Sequence, residues 1–410
     1  MRAENQGKNL LSGLRVLDLA DEKASFCSKL LADMGASVIK VEKPQGDPSR
    51  SIGPFWKNSP HPERSLPFWY NNTNKRGITL NVEHSAGKRI FLKLVQNADV
   101  VIETLSPGYL RELGIGFEVL RTVNPRLILV SVTGFGQTGP RSTYRPCDLV
   151  VSAFGGQMYV SGSPDTPPLK AFGEQSHYTA SLYAAIAVLM ALRKRSLSGK
   201  GEHIDISAQE AVVSTLEHVM VRFFYEGTIP KRTGSIHWNH SFCILPCKDG
   251  HMLITPLQQW ETLVGWMAGE NMAEDLEDER WLDQEYRLKH FDHIIEVLQK
   301  WTRSHTAEEL FELGQLMGFP WAPVQSPRDA LKSPQLKART FFLDVDHPES
   351  GTSVRYPHVP YKSSRSLGKR WKRAPSRGQD NARIYREELG LSDKDLEELA
   401  SLTAISGKDD

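Results

Sequence analysis

Near its start the chain repeats one order, a short apolar run, an amphipathic stretch, then another short apolar run, and few folds accept it. "LRVLDLA" (Leu14 to Ala20) reads as a buried strand, "ASFCSKLLADMG" as a helix ending at Gly35, and "SVIKVE" as the next strand. A proline-rich loop follows from Lys43 to Pro67; then "SAGKRIFLKLVQNA" reads as a helix, and "DVVIETL" and "PRLILVSVTGFG" as strands. Strands joined by single helices lie parallel with right-handed crossovers, which predicts an α/β fold on a doubly wound, Rossmann-like sheet. The link after the first strand, "ADEKAS", has no glycine. A dinucleotide pyrophosphate needs glycine there for close backbone approach, so neither NAD nor FAD is expected.

From Tyr178 the apolar residues Leu182, Ile186, Leu189 and Leu192 recur at close to helical spacing and predict a buried helix. Ala180, Ala184, Ala185, Ala187 and Ala191 let its neighbours approach closely, "SLSGKG" stops it, and "EHIDIS" resumes as a strand. "VRFFYEGTIPKRTGSIHWNHS" marks a crossing into a second domain. The expected division is a large domain from both chain ends, 1–225 and 326–410, around a smaller α+β domain with its linkers, 226–325. In the smaller domain, Phe242 to Leu245, the turn Lys248-Asp249-Gly250 and "HMLITP" read as a hairpin. "DHIIEVLQKW" reads as a helix, and Thr306 with Glu309 forms a capping box, as Ser392 with Asp395 does near the end. The basic run "RSLGKRWKR" (Arg365 to Arg373) reads equally as a solvated linker or a phosphate contact.

A formal charge of +1 over 410 residues leaves no global field for nucleic acid, so any anion must be held by a local cluster. Four cysteines in such a length fit a reducing cytosol rather than a disulfide framework. "MRAENQGKNL" lacks a signal core, and the most apolar stretch, Leu182 to Leu192, is too short for a bilayer and ends in Arg193-Lys194-Arg195. A cytoplasmic protein without membrane contact is expected. His237, His240, Cys243, Cys247 and His251 resemble a set of zinc ligands. On an extended strand the two thiols would lie ~13 Å apart, too far to share an ion, so no metal is expected.

Taken together, "LLADMGASVIKVEKPQGDPSR", "NTNKRGITLNV", "ADVVIETLSPGYLRELGI", "NPRLILVSVTGFGQTGP", "YAAIAVLMALRKRSLSGKGEHIDIS" and "FPWAPVQSPRDALKSPQLKARTFF" resemble the family III CoA-transferases. That superfamily also holds the α-methylacyl-CoA racemases, and the resemblance covers nearly the whole chain. It implies a dimer of chains threaded like linked rings, and coenzyme A or acyl-CoA as substrate. CoA would be held by Lys23 and Ala24 after the first strand, by Lys43, by Asn72, Thr73, Asn74, Lys75 and Arg76, by Ser106 and Gly108, and by Arg145. Cations and backbone amides suit the 3′-phosphate and pyrophosphate of CoA.

The resemblance also implies a nucleophilic aspartate at the start of the small-residue helix. Its carboxylate would take the acyl group as an anhydride, then CoA as a thioester, and pass CoA to an acceptor acid. At that position stands His177, and a neighbouring glycine of the pattern is Ser181. An assisting glutamine of formyl-type transferases is Lys23, an assisting glutamate is Asp148, and the racemase histidine is Cys147. Three readings of His177 stay open at this point. The chain is a nucleophile-lacking subunit, of the benzylsuccinate type that takes CoA from succinyl-CoA, beside a homologous subunit retaining the aspartate in a heterodimer or heterotetramer. Or it is self-sufficient and attacks through Glu174, or it is a CoA-ester-binding protein or lyase with His177 as base. Phe223, Phe224, Tyr225 and Trp238 read either as a pocket for an aromatic acid or as core.

Overall fold

The computed structural model describes residues 9–364 and 371–406. The basic run between Arg365 and Arg370 therefore lies outside the described residues, as do residues 1–8. The chain divides into two compact units, one of Met1–Gln157, Lys170–Val221 and Thr340–Asp410, the other of Met158–Leu169 and Arg222–Arg339.

The first unit is built on six strands, β1 (Arg15–Leu19), β2 (Ser37–Glu42), β3 (Arg76–Thr79), β4 (Val100–Glu103), β5 (Ile128–Thr133) and β6 (His203–Ser207). They form one sheet in the order β3-β2-β1-β4-β5-β6, and every neighbouring pair is parallel. The α/β expectation holds, with a Rossmann strand order. Helices α1 (Ser25–Asp33), α2 (Ser85–Gln96), α3 (Phe117–Val123), α4 (Asp148–Phe154) and α5 (Gln175–Ser198) lie in the crossovers, and α6 (Ala208–Val213) follows the last strand. One face of the sheet packs Val16, Val38, Ile102 and Val130 against Cys27 and Leu31 of α1 and Ala180, Ala184 and Val188 of α5. The other packs Leu17, Ile39 and Val101 against Phe91 and Leu94 of α2 and Leu120 of α3.

The chain's C-terminal segment completes that second face. Ile384, Tyr385, Leu399, Ala404 and Ile405 join its core, Leu399 from α7 (Asp393–Ser401). Tyr385 Oη donates to Thr79 O at 2.6 Å, Asn81 N to Ala404 O at 2.8 Å, and Gly77 N to Asp380 Oδ2 at 2.8 Å. The edge strand β3 is thus closed by the returning chain rather than left open.

The core face of α5 is not the expected one. Ala180, Ser181, Ala184, Ala185, Val188 and Ala191 are buried, while Leu182 (48%), Ile186 (53%), Leu189 (40%) and Met190 (67%) are exposed. The small residues let α5 approach the sheet, α1 and α6 closely, which turns the large side chains outward. Gly199, at φ +72, ends the helix as expected.

The second unit contains the expected hairpin, Cys243–Pro246 antiparallel to His251–Ile254, with Ala322–Pro323 as a third strand. Its core holds Trp260, Trp281, Trp301 and Trp321. The helix Ala307–Leu316 begins at the Thr306–Glu309 capping box, and α7 begins at the Ser392–Asp395 box. Cys243 is buried in the hairpin core, and the Cys247 thiol lies 3.5 Å from Asp249 Oδ1. Phe223, Phe224, Tyr225 and Trp238 are all exposed, so the core alternative for them fails within this unit. Among the described residues no helix is long and apolar enough to cross a membrane.

One buried ion pair fixes the first βα turn. Lys75 Nζ lies 2.8 Å from Asp18 Oδ2 at the end of β1, 2.8 Å from Ser28 Oγ, 3.1 Å from the Ser25 carbonyl and 2.8 Å from Asn72 Oδ1. Its side chain has no exposure, and burial, opposed by Asp18, brings its pKa down to about 8. Removing one partner strands the other charge in the core. Lys75→Ala is expected to lower the unfolding free energy by about 3–5 kcal/mol in urea titrations. Lys43→Ala, which breaks the exposed pair with Glu83, is expected to change it by less than about 1 kcal/mol.

Candidate active site

The direction of winding reverses between β1 and β4, and sheets of this order take ligands in the crevice beyond the carboxyl ends of the strands at that point. The two strand ends are stitched together there. Thr104, the residue after β4, donates from Oγ1 to Asp21 Oδ1 at 2.7 Å and accepts from Asp21 N at 3.0 Å. The Asp21 carboxylate also takes the backbone N–H and the ammonium of Lys23.

A second charge pair forms where α4 and α5 begin. Asp148, the first residue of α4 and 2% exposed, accepts at Oδ1 from Ser176 N at 2.8 Å and Ser176 Oγ at 2.7 Å. Its Oδ2 lies 2.7 Å from Lys170 Nζ. Burial pushes the Asp148 carboxyl up, but the hydrogen bonds from Lys170 and Ser176 outweigh it and hold the group below the usual carboxylate range. Nothing in the sequence pointed to Lys170 or Ser176. Lys170 acts from a loop, where no spacing rule links it to Asp148.

His177 is the third residue of α5, its backbone N–H donating to the Glu174 carbonyl at 3.1 Å. Its side chain is only 9% exposed, and burial pushes the imidazole below its ordinary pKa; Asp148 and Asp21 oppose the shift, Lys23 and Lys170 add to it. Burial thus favours the uncharged form of the ring. Nδ1 is buried without a hydrogen-bond partner, 3.6 Å from Glu174 Oε2. Glu174 is the N-cap of α5 but makes no capping bond; more than half of its side chain is exposed, and burial of the remainder with Asp148 nearby pushes its carboxyl up. The first turn of a 24-residue helix favours negative charge, so a carboxylate would gain there what a neutral imidazole does not. Cys147, which the resemblance sets in the place of a racemase histidine, is an exposed free thiol.

The expected CoA-holding residues divide by burial. Lys43, Ser106 and Arg145 are exposed and Lys23 is part-exposed, although Lys43 pairs with Glu83 at 2.7 Å. Gly108 adopts φ +81 to start the short helix Tyr109–Glu112. Ala24 is wholly buried in the core, and the side chains of Asn72, Thr73 and Lys75 serve the fold. Thr73 Oγ1 bridges Lys29 Nζ at 2.8 Å and Asp33 Oδ1 at 3.1 Å. Asn74 bonds Asp33 at 2.6 Å and the Lys372 backbone N–H at 2.8 Å, and the Arg76 guanidinium pairs with Glu388. The Lys75 ammonium is shut off from any phosphate by its own shell.

Beside the Ser106–Gly108 turn a cavity of about 580 Å³ is lined in part by Glu103, Tyr109, Gln137 and His203. Glu103 is 3% exposed; burial, opposed by hydrogen bonds from Ser131 and the Leu105 N–H, raises its pKa to about 7. Ser131 Oγ in turn lies 2.9 Å from His203 Nε2. Between pH 4.5 and about 7 the unfolded chain has lost this proton and the folded chain keeps it, so Glu103 makes stability fall as pH rises through that window. The loss amounts to about 3 kcal/mol by linkage. Glu103→Gln is expected to flatten this part of the stability–pH curve measured by urea denaturation; an unchanged slope would place the titration elsewhere.

Residues 11–381 match the profile of CoA-transferase family III. The chain is 34% identical over 403 residues to succinyl-CoA:(R)-benzylsuccinate CoA-transferase subunit BbsE of Thauera aromatica, covering 96% of this chain and 98% of the relative. It is 31% identical over 402 residues to the succinyl-CoA–L-malate CoA-transferase beta subunit of Chloroflexus aurantiacus, covering 96% and 98%. The crystal structure of a CAIB/BAIF family protein from Brucella suis superposes with a TM-score of 0.81 at 31% identity, covering 93% of this chain and all of that one. With the six-stranded parallel sheet and an almost full-length match, the chain belongs to CoA-transferase family III.

Proposed function

We propose that this chain is one subunit of a heteromeric, cytoplasmic CoA-transferase that moves CoA from succinyl-CoA to a carboxylic acid, and that a homologous partner supplies the nucleophile. The observation that carries this reading is the buried imidazole of His177 at the start of α5. Transfer by this route needs an enzyme carboxyl that becomes first an anhydride and then a thioester with CoA. A ring nitrogen can accept an acyl group but has no carbonyl through which CoA could be relayed. Glu174 does not replace it. That carboxyl sits at the N-cap, one turn before the reacting position, and an error of ~1 Å in placement can cost ~100-fold in rate.

The outward face of α5 supports a partner. Leu182, Ile186, Leu189 and Met190 form an apolar stripe on a long helix, which an interlocked homologous chain would cover, as a heterodimer or heterotetramer. The names of two relatives identify them as subunits that use succinyl-CoA. The exposed aromatic set Phe223, Phe224, Tyr225 and Trp238 favours an aromatic succinate as acceptor.

The test is reconstitution with a homologous subunit that keeps the aspartate, assayed for CoA transfer from succinyl-CoA to benzylsuccinate. The pair is expected to transfer at least ~100-fold faster than either chain alone, the range in which loss of an essential group falls. Mass spectrometry of the working enzyme should find CoA attached to the partner. A CoA adduct on this chain, working unaccompanied, would overturn the proposal.

A further inference from the structure

We propose that Glu174 and His177 form an acid–imidazole pair through which this chain hydrolyses a CoA thioester, water taking the place of the acceptor acid. The pair lies on one face of α5 at a spacing of three residues, with Glu174 Oε2 3.6 Å from His177 Nδ1. That is longer than a hydrogen bond, but Glu174 makes no capping bond and is more than half exposed, so its carboxylate is free to close the gap. Pairs of this kind are commonly long in the empty site and tighten on substrate. Nδ1 is the atom that such a contact would satisfy, being buried and unpartnered. With Nδ1–H donating to Glu174, Nε2 keeps its lone pair and becomes the base.

The surroundings keep the ring in that form. Burial holds it neutral, and the charges facing it from the β1–α1 turn and from α4 come as internal pairs, Asp21 with Lys23 and Asp148 with Lys170. Asp148 and Asp21 favour an imidazolium against burial, and Glu174 Oε2, 3.6 Å from Nδ1, is placed to do so by direct contact. One turn further along, on the same buried face, the Ser181 hydroxyl is also unpartnered and adds a second hydrogen-bonding group for a water molecule.

The step balances without a further reagent. His177 Nε2 takes a proton from water as the water oxygen bonds to the thioester carbonyl carbon, and the oxyanion forms at the positive end of α5. Collapse breaks the carbon–sulfur bond, and the leaving thiolate takes the proton from the imidazolium. The products are the free acid and CoA thiol. The inference needs a CoA thioester to reach position 177, which the subunit proposal does not require, and it needs neither a partner subunit nor an acceptor acid.

The experiment uses the purified full chain with benzoyl-CoA and no acceptor acid, following free thiol, in heavy-oxygen water. Thiol release well above the buffer blank, with label in the benzoate, is expected. His177→Gln should lower the rate at least ~100-fold, as loss of a general base does. Glu174→Gln, at an exposed site, should fold as the parent does, lower the rate about 10-fold and displace the acid limb of the kcat/KM profile. Glu174→Asp should restore part of it. Binding of benzoyl-CoA without hydrolysis, or no binding at all, would overturn this inference and leave the subunit proposal standing. Hydrolysis unaffected by His177→Gln, or a Glu174→Gln loss with an unmoved pH profile, would overturn the pairing.

Discussion

The Lys75 ammonium buried against Asp18 is the constraint on which the switch-point crevice rests. Two charges taken out of water cost several kcal/mol each, and they are tolerable only inside a complete shell of partners. That shell is drawn from the end of β1, the first turn of α1 and the turn before β3, so each of those segments is held in register with the others. Asp21 and Lys23 follow directly on the same turn, and through Thr104 they tie it to β4. A motif that looks like a cradle for phosphate is, in its buried half, the hub of the domain.

Around His177 charge is neutralised locally rather than accumulated. Asp21 answers Lys23, and Asp148 answers Lys170, so the crevice wall offers little uncompensated positive charge at the reacting position. A carboxylate there would sit in a favourable field from the start of α5; the imidazole is instead pressed into its neutral form by burial. Burial together with locally paired charge thus leaves at position 177 a ring suited to proton transfer rather than to covalent relay.

Much of this architecture was legible from local signals. β1, β2, β4, β5 and β6 announce themselves as apolar runs between helices, and the boxes at Thr306 and Ser392 follow from side chains that reach only three residues. β3 was not legible. It is four residues long and carries Gly77, where a Cβ would stand 2.8 Å from Pro375, a neighbour no local pattern discloses. Periodicity found α5 but inverted it, because spacing identifies a stripe and not what lies against it. The position of His177 was readable from its resemblance, whereas the Lys170–Asp148–Ser176 contacts and the burial of Lys75 depend on tertiary neighbours.

The closing of β3 by the far end of the chain has a temporal side. Thr79 and the tyrosine that bonds its carbonyl are separated by 306 residues. At ~5–20 residues per second of translation, the edge strand waits roughly 15–60 s for its cover. By then the intervening unit has already emerged from the ribosome, so the domain begun first is the one finished last.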